Sequence, residues 1–397
     1  MMVFTQQGDR AVDLRLGFVV LFEVCIVRLT ASILPNVIKS VNIRKNFSRD
    51  YKMSTKKLRK DAFRSFVTKL ISTEKVYGIQ AKDEVFDFAP LESAEDLRLD
   101  YDISLGAPKK YFQPPLETLL NFEVGGAFKS EIDNEPFVLI GVHPYDMIAI
   151  NQMDELFSQD NYDCHYMTRR KNATIIAVDV ITPSKNIFAS SMGTATVDEG
   201  FDILVTDIGD SYIMEAVTDK AMSLLSKAKD LVDATKDDLD ARRKIWDKNN
   251  KGLNKHELKC KPSYLPRLLE KAYNHPVWEE KAKTCFACGS CNQVCPTCYC
   301  FNVFDEVTWD MKKGERKRSW DGCLLSGFTK VAGEHEFRNK QADRFRHRLY
   351  RKGKYIPGKI GGHIACVGCG RCINNCLPGI ANPVDIYNRL VDDLGIG

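Results

Sequence analysis

Cys285, Cys288, Cys291 and Cys295 repeat the spacing of Cys366, Cys369, Cys372 and Cys376: three thiols at intervals of three residues, then a fourth after four. Thiolates at i, i+3 and i+6 can converge on three corners of one iron-sulfide cubane. In two-cluster ferredoxins the fourth cysteine of each run ligates the other cluster. On that logic a first 4Fe-4S cluster takes Cys285, Cys288, Cys291 and Cys376, and a second takes Cys366, Cys369, Cys372 and Cys295. The crossing ties both segments into one unit. Zinc and a disulfide framework are the rivals. Structural zinc sites, however, usually place two ligand pairs across a longer gap. Eight cysteines in two matching runs suit cubanes better.

Three more thiols, Cys298, Cys300 and Cys323, lie near the runs but outside the eight-ligand set. Two readings stand for them: extra metal ligation or tuning of the first cluster, and inert burial, which is common for cysteine. His335, His347 and His363 precede the second run, and structural hydrogen bonding is the stronger reading for each. The stretch Ser190-Ser191-Met192-Gly193-Thr194 reads better as a loop turn than as a phosphate cradle. Gly353 to Lys359 imitates a phosphate-binding loop but meets Ile360 where a hydroxyl is needed for magnesium. G-x-G-x-x-G, H-E-x-x-H and G-x-S-x-G are all absent. The chain shows conductors, and no catalytic residue is assigned.

These ligands need a scaffold, and 397 residues with 44% hydrophobic and 28% charged content allow two soluble folded domains. Strand-like runs at Phe137 to Val142, Thr174 to Val180, Asp202 to Ile208 and Tyr212 to Val217 alternate with helical spacing, as over Tyr145 to Phe157. The fold expected is an α/β N-terminal domain plus a mainly α-helical, bacterial-ferredoxin-like dicluster C-terminal domain. Its divisions fall at 1–52, an extension without fixed structure; 53–232, the α/β domain; 233–264, a charged helical connection; and 265–397, the cluster domain with a long basic insertion. Leu97 to Glu117, with Pro108, Pro114 and Pro115, reads as an extended connection. Lys227 to Lys261 reads as exposed helices leading out of the first domain. Leu265 to Ala272 and Trp278 to Lys283 read as short helices delivering the chain to Cys285. Trp309, Trp320, Phe328, Phe337 and Phe345 are expected to anchor the insertion over the clusters.

Near the N-terminus, the apolar run Leu16 to Val27 is interrupted by Glu23 and preceded by Asp9 and Asp13. It is shorter than the roughly 20 residues a spanning helix needs, so no membrane span is expected. Met53 opens a polar, basic start of the kind that begins an ordinary domain. Eleven of the fourteen cysteines lie between Cys285 and Cys376, which argues for ligands kept reduced in a cytoplasmic compartment.

Charge is unevenly placed. Lys312 to Lys359 holds fifteen Lys or Arg against five Asp or Glu, while the whole chain carries only +4. Such a segment can raise a cluster's potential, dock an acidic redox partner, or simply be solvated. Arg344-Phe345-Arg346-His347-Arg348 mixes basic and aromatic residues, yet no nucleic-acid module surrounds it, and no nucleic-acid partner is expected.

The motifs Cys295-Pro296-Thr297-Cys298-Tyr299-Cys300, Trp320-Asp321-x-Cys323, Ala332-Gly333-x-His335 and Arg344-Phe345-Arg346-His347-Arg348 resemble signatures of a known family. So do Leu97-Arg98-Leu99-Asp100-Tyr101, Lys109-Lys110-Tyr111-Phe112, Gly141-Val142-x-Pro144-x-Asp146 and Ser191-Met192-Gly193-Thr194. The family is that of large two-cluster iron-sulfur electron-transfer subunits, which includes the two-cluster subunit of anaerobic sulfite reductase and the β-subunit of NiFe sulfhydrogenases. The resemblance runs from about Phe86 to the C-terminus. It implies a relay subunit between a flavin-containing electron-transfer subunit, or a ferredoxin, and a catalytic reductase or hydrogenase subunit. A self-contained flavin-dependent reductase is the alternative, and a metal-dependent nucleic-acid-binding module is third. Tyr145, Ile187 and Ala189 stand where family members often have cysteines, and Cys376-Leu377-Pro378 delays the usual proline by one residue.

Overall fold

The computed structural model describes residues 54–395; Met53, the extension over 1–52 and its apolar run lie outside the described residues. The chain enters on strand β1 (Ser54–Arg59) and helix α1 (Lys60–Thr73), which buries Phe63, Phe66, Val67 and Leu70 at helical spacing. Two hairpins follow, β2 (Val76–Lys82) with β3 (Val85–Pro90) and β4 (Leu116–Glu123) with β5 (Phe128–Ser130). Strand β6 (Phe137–Val142) turns at His143 into α2 (Pro144–Phe157), where Pro144 fits the first helical turn because its missing N–H would find no partner there. Next come α3 (Cys164–Asn172), β7 (Ala173–Val178), the single turn α4 (Ala189–Met192), β8 (Ile203–Asp207) and β9 (Ser211–Ala216). Helix α5 (Asp219–Leu225), β10 (Val232–Asp233) and α6 (Lys236–Gly252) complete this region.

Eight strands form one mixed sheet in the order β10-β1-β9-β8-β7-β6-β2-β3, parallel between β2, β6, β7 and β8. The central strands β6 and β7 are buried at every residue, which is why their sequences run apolar without alternation. Between β3 and β4 the proline-rich connection carries only short 3-10 turns, and its Tyr101 and Phe112 are fully buried against the sheet. The N-terminal region is therefore mixed α/β around a large sheet.

The segment from Lys227 differs from the expected exposed helices. Strand β10 extends the sheet, and α6 packs back on it: Trp246 Nε1 donates to Asp179 at 2.8 Å, and Arg242 pairs with Glu215 at 2.6 Å. Its charges face water on one side while Asn249 is buried on the other.

The C-terminal region begins with α7 (Leu265–Lys271), α8 (Val277–Thr284) and the short α9 (Ser290–Gln293). Strands β11 (Phe301–Val307) and β12 (Lys313–Trp320) follow, then α10 (Gln341–Tyr350), a π turn at Arg351–Tyr355, α11 (Arg371–Asn374) and α12 (Pro383–Leu394). Leu265, Leu269, Trp278, Phe345, Leu349, Tyr387 and Leu390 make a second core that includes Cys291 and Cys372. Strands β11 and β12 form a hairpin that joins β4 and β5 in a four-stranded antiparallel sheet, so the insertion reaches back to the N-terminal region. Of the expected anchors Phe345 is buried, but Trp309 at the hairpin turn and Phe337 are exposed and anchor nothing. Among the described residues no helix is long and apolar enough to cross a membrane.

Candidate metal centre

The two cysteine runs share one backbone design. In the first, Ala287 (φ 50°) and Gly289 (φ 75°) take left-handed conformations on either side of Cys288. In the second, Gly368 (φ 66°) and Gly370 (φ 82°) do the same around Cys369. Alternating handedness of this kind turns successive N–H groups toward one point, a concavity suited to an anion. Helices α9 and α11 then start at Ser290 and Arg371, placing Cys291 and Cys372 in their first turns, and the two helices pack together. Glycine has a second reason in the later run. A Cβ on Gly368 would stand 2.6 Å from the Phe188 carbonyl oxygen, and one on Gly370 2.4 Å from that of Asn186.

Cys295, Cys366, Cys369 and Cys372 wall one cavity, together with Phe188, Arg348, Lys352 and Tyr387. The Cys366 sulfur lies in electrostatic reach of Cys372 and Cys295, whereas that of Cys291 reaches Cys285 and Cys376 as well as Cys372. The fourth cysteine of each run is thus brought to the other run. Burial pushes the Cys291 and Cys366 thiols up to about 12, so a metal binding there must displace their protons. Cys295 goes the other way. The Cys298 thiol donates to it, and Lys352 adds to the effect, holding it well below the usual thiol range against burial.

Among the described residues no disulfide is present, and no three His, Cys, Asp or Glu side chains converge on a single metal ion. The cavity also contains an orphaned buried donor, Arg348 Nε, with no hydrogen-bond partner. A thiolate-bound cluster, being anionic, fits both the concavity and the cation.

The sheet region supplies braces. At the carboxyl end of β6, Asp146 in the first turn of α2 receives both arms of Arg371 at 2.6 Å, and Arg371 also donates to the Ser104 hydroxyl at 2.7 Å and carbonyl at 2.9 Å. All three side chains are buried. Phe188 N donates to the Gly368 carbonyl at 2.8 Å and Thr194 Oγ1 to the Val367 carbonyl at 2.7 Å, so the Ser-Met-Gly-Thr turn cradles protein backbone. Tyr145, Ile187 and Ala189 pack with Cys369 in one apolar cluster. On the other side Lys109 Nζ donates to the Cys298 carbonyl at 2.7 Å over the Trp320 ring.

Cys298 and Cys323 are held by Asn292, whose Nδ2 donates to their sulfurs at 3.6 and 3.4 Å. Cys300 and Cys323 open on a separate cleft with Arg338, His347 and Arg351. Burial, aided by Arg338, Arg351 and Arg346, pushes His347 down to about 4, which keeps it neutral near pH 7. His335 and His363 are exposed. The basic segment divides by location. On the hairpin Arg316 pairs with Asp305 and Arg318 with Glu117, while Arg348 and Lys352 turn inward to the cysteines. Arg371 was legible only as a charge lodged between two ligand positions, where the first run has Ser290.

The 4Fe-4S dicluster domain family matches residues 284–380, a span that contains all eight cysteines of the two runs. The chain is also similar to the sulfhydrogenase 2 subunit beta of Pyrococcus furiosus, 33% identical over 327 residues, which is 81% of this chain and 93% of the relative. No solved structure matches it. The dicluster domain means that the chain carries two 4Fe-4S clusters, the cofactors of an electron-transfer protein. With that domain and a relative aligned over most of both lengths, the chain belongs to the sulfhydrogenase β-subunit family.

Proposed function

We propose that this protein is the electron relay of a cytoplasmic multi-subunit oxidoreductase, standing between a flavin-containing subunit or ferredoxin and a catalytic reductase or hydrogenase subunit. Cys285, Cys288, Cys291 and Cys376 hold the first cluster, and Cys366, Cys369, Cys372 and Cys295 the second, in a bacterial-ferredoxin-like unit. The working division is a sheet domain at 53–232, a connection at 233–264 and a cluster domain at 265–397. Bound cubanes supply one-electron transfer, while the chain's residues set where electrons enter and leave.

One observation carries this reading: the two ligand sets differ in access. Cys288 is exposed, and the residues after Cys285 and Cys376 are the exposed apolar side chains Phe286 (67%) and Leu377 (88%). The first set has one buried member, Cys291, whereas the second has two, Cys369 and Cys372, and no exposed one; its cavity is lined by Phe188, Pro383 and Tyr387. A relay needs a surface port and an insulated interior, and large apolar residues beside a port favour a protein partner.

Anaerobic co-purification of the tagged chain is the test. A flavoprotein and a catalytic redox subunit should come with it, and F286S/L377S should release the partner that docks at this port while iron stays at about eight per chain. A chain that purifies alone with bound flavin and reduces a substrate unaided would replace the relay with the self-contained reductase.

A further inference from the structure

Arg348 and Lys352 are four residues apart, where α10 passes into the π turn, and both are buried. Both line the cavity of Cys295, Cys366, Cys369 and Cys372. Arg348 Nη2 donates to the Cys291 carbonyl at 3.3 Å, and its Nε has no partner. Lys352 Nζ donates to the neutral hydroxyl of Thr297 at 2.5 Å, which in turn donates to the Ala365 carbonyl at 2.7 Å. Neither forms an ion pair with a carboxylate among the described residues, whereas the buried Arg371, between Cys369 and Cys372 in sequence, is neutralised by Asp146. Two like charges at this spacing repel, and burying them unpaired is strongly unfavourable. The charge that balances them has to occupy the cavity.

Resting on the ligand assignment above, we propose that Arg348 and Lys352 are positioning residues that serve as the counter-charge of the second cluster. They hold its reduction potential above that of the first and make it the resting place of an electron inside the relay. Each added electron makes a thiolate-ligated site more negative, and nearby cations favour that form. The two sets are served unequally. Lys352 reaches Cys295, Cys298 and Cys366, all on the side of the second set, while Arg348 reaches Cys291 as well as Cys372 and Cys295. The first set is nearer water: Cys288 is exposed, Cys285 and Cys376 are half-buried, and only Cys291 is buried, with Arg348 as its cation. Loss of water by itself disfavours the reduced, more negative form, but fixed cations act more strongly at the lower effective dielectric of the interior, and the pair of them outweighs that cost and sets the interior site higher in potential.

The test is an anaerobic redox titration of the full-length, cluster-loaded chain, followed by electron paramagnetic resonance. Two reduction steps are expected. K352Q should move the higher step to more negative potential and leave the lower one in place, while K352R should leave both unshifted. A K352Q protein whose higher step does not move, or whose two steps fall alike, overturns the proposal. Should K352Q lose iron, R348Q titrated beside R348K decides instead: the higher step falls further than the lower one, and the reverse order overturns the proposal. Wild-type protein holding only about four irons would strike the two-cluster assignment itself. That outcome is distinct from unshifted potentials in fully loaded protein.

Discussion

At Arg371 a guanidinium is enclosed where water cannot reach it, and its two donor arms are matched by the two oxygens of Asp146. Pairing of this kind adds little net stability over apolar packing, but removing one partner leaves a bare buried charge. R371M should therefore destabilise the protein by about 3–5 kcal/mol in anaerobic chemical denaturation. R371M/D146L should recover most of that loss, which separates charge imbalance from lost packing. Cys295 makes a second prediction at this scale. If it ligates the cluster of the later run, C295S lowers iron from about eight toward four per chain and removes the resonance signal of the enclosed site. Loss of the surface site's signal instead would contradict the crossed assignment.

The same φ-reversing loop followed by a short helix appears twice, once in each of the two runs whose matching cysteine spacing is legible in the sequence. Strands β6 and β7 were equally legible, because long β-branched apolar runs have few other ways to be buried. The hairpin of β11 and β12 was missed. Its strands are mostly exposed or half-buried and densely charged, with no apolar alternation to mark them, and the partner strand β4 lies about two hundred positions earlier. Helix α6 was misplaced for a related reason: its charged face dominates the sequence, and the contacts that tie it to the sheet, among them Trp246 to Asp179 and Arg242 to Glu215, are long-range. The first of these contacts is testable. Burial raises Asp179 to about 6, with donors from Thr206 and Trp246 meeting one oxygen while the other has none. A folded value above that of an exposed aspartate means its contribution is complete below about pH 4 and lost as pH rises past 6. D179N, which keeps an acceptor and never charges, should raise stability at pH 7.5 by about 1–3 kcal/mol and change little at pH 4. Thermal unfolding at both pH values checks it.

Among the described residues the two largest hydrophobic cores carry different dependences on the cofactors. The sheet core contains no cysteine, whereas the C-terminal core is built directly against Cys291 and Cys372, with Cys285, Cys366 and Cys376 at its margin. Removing iron with a chelator should therefore loosen α7 to α12 while the central strands stay protected. Hydrogen exchange should show faster exchange in Leu265–Lys271 and Pro383–Leu394 and little change in Phe137–Val142. Equal loss of protection in both cores would mean that the braces at Arg371, Phe188 and Thr194 make them one cooperative unit.

By itself the sequence determined the cofactor, because ligation by thiolates depends on residue type and on spacings of three and four along the chain. It also determined the buried strands, through uninterrupted apolar runs. Only the tertiary structure decided which charges among the basic residues matter to the clusters. Arg344, Arg346, Arg348 and Lys352 are neighbours in sequence, yet two of them enter the cavity of the second cysteine run while Arg346 pairs with Asp343 and Arg344 bonds the Leu324 carbonyl. That difference comes from helical rotation and from what packs against each face, neither of which is written in the order of the residues. The pairing of Asp146 with Arg371, 225 positions apart, has the same origin: long-range contacts are fixed by how the elements stack, after the local pattern has chosen what the elements are.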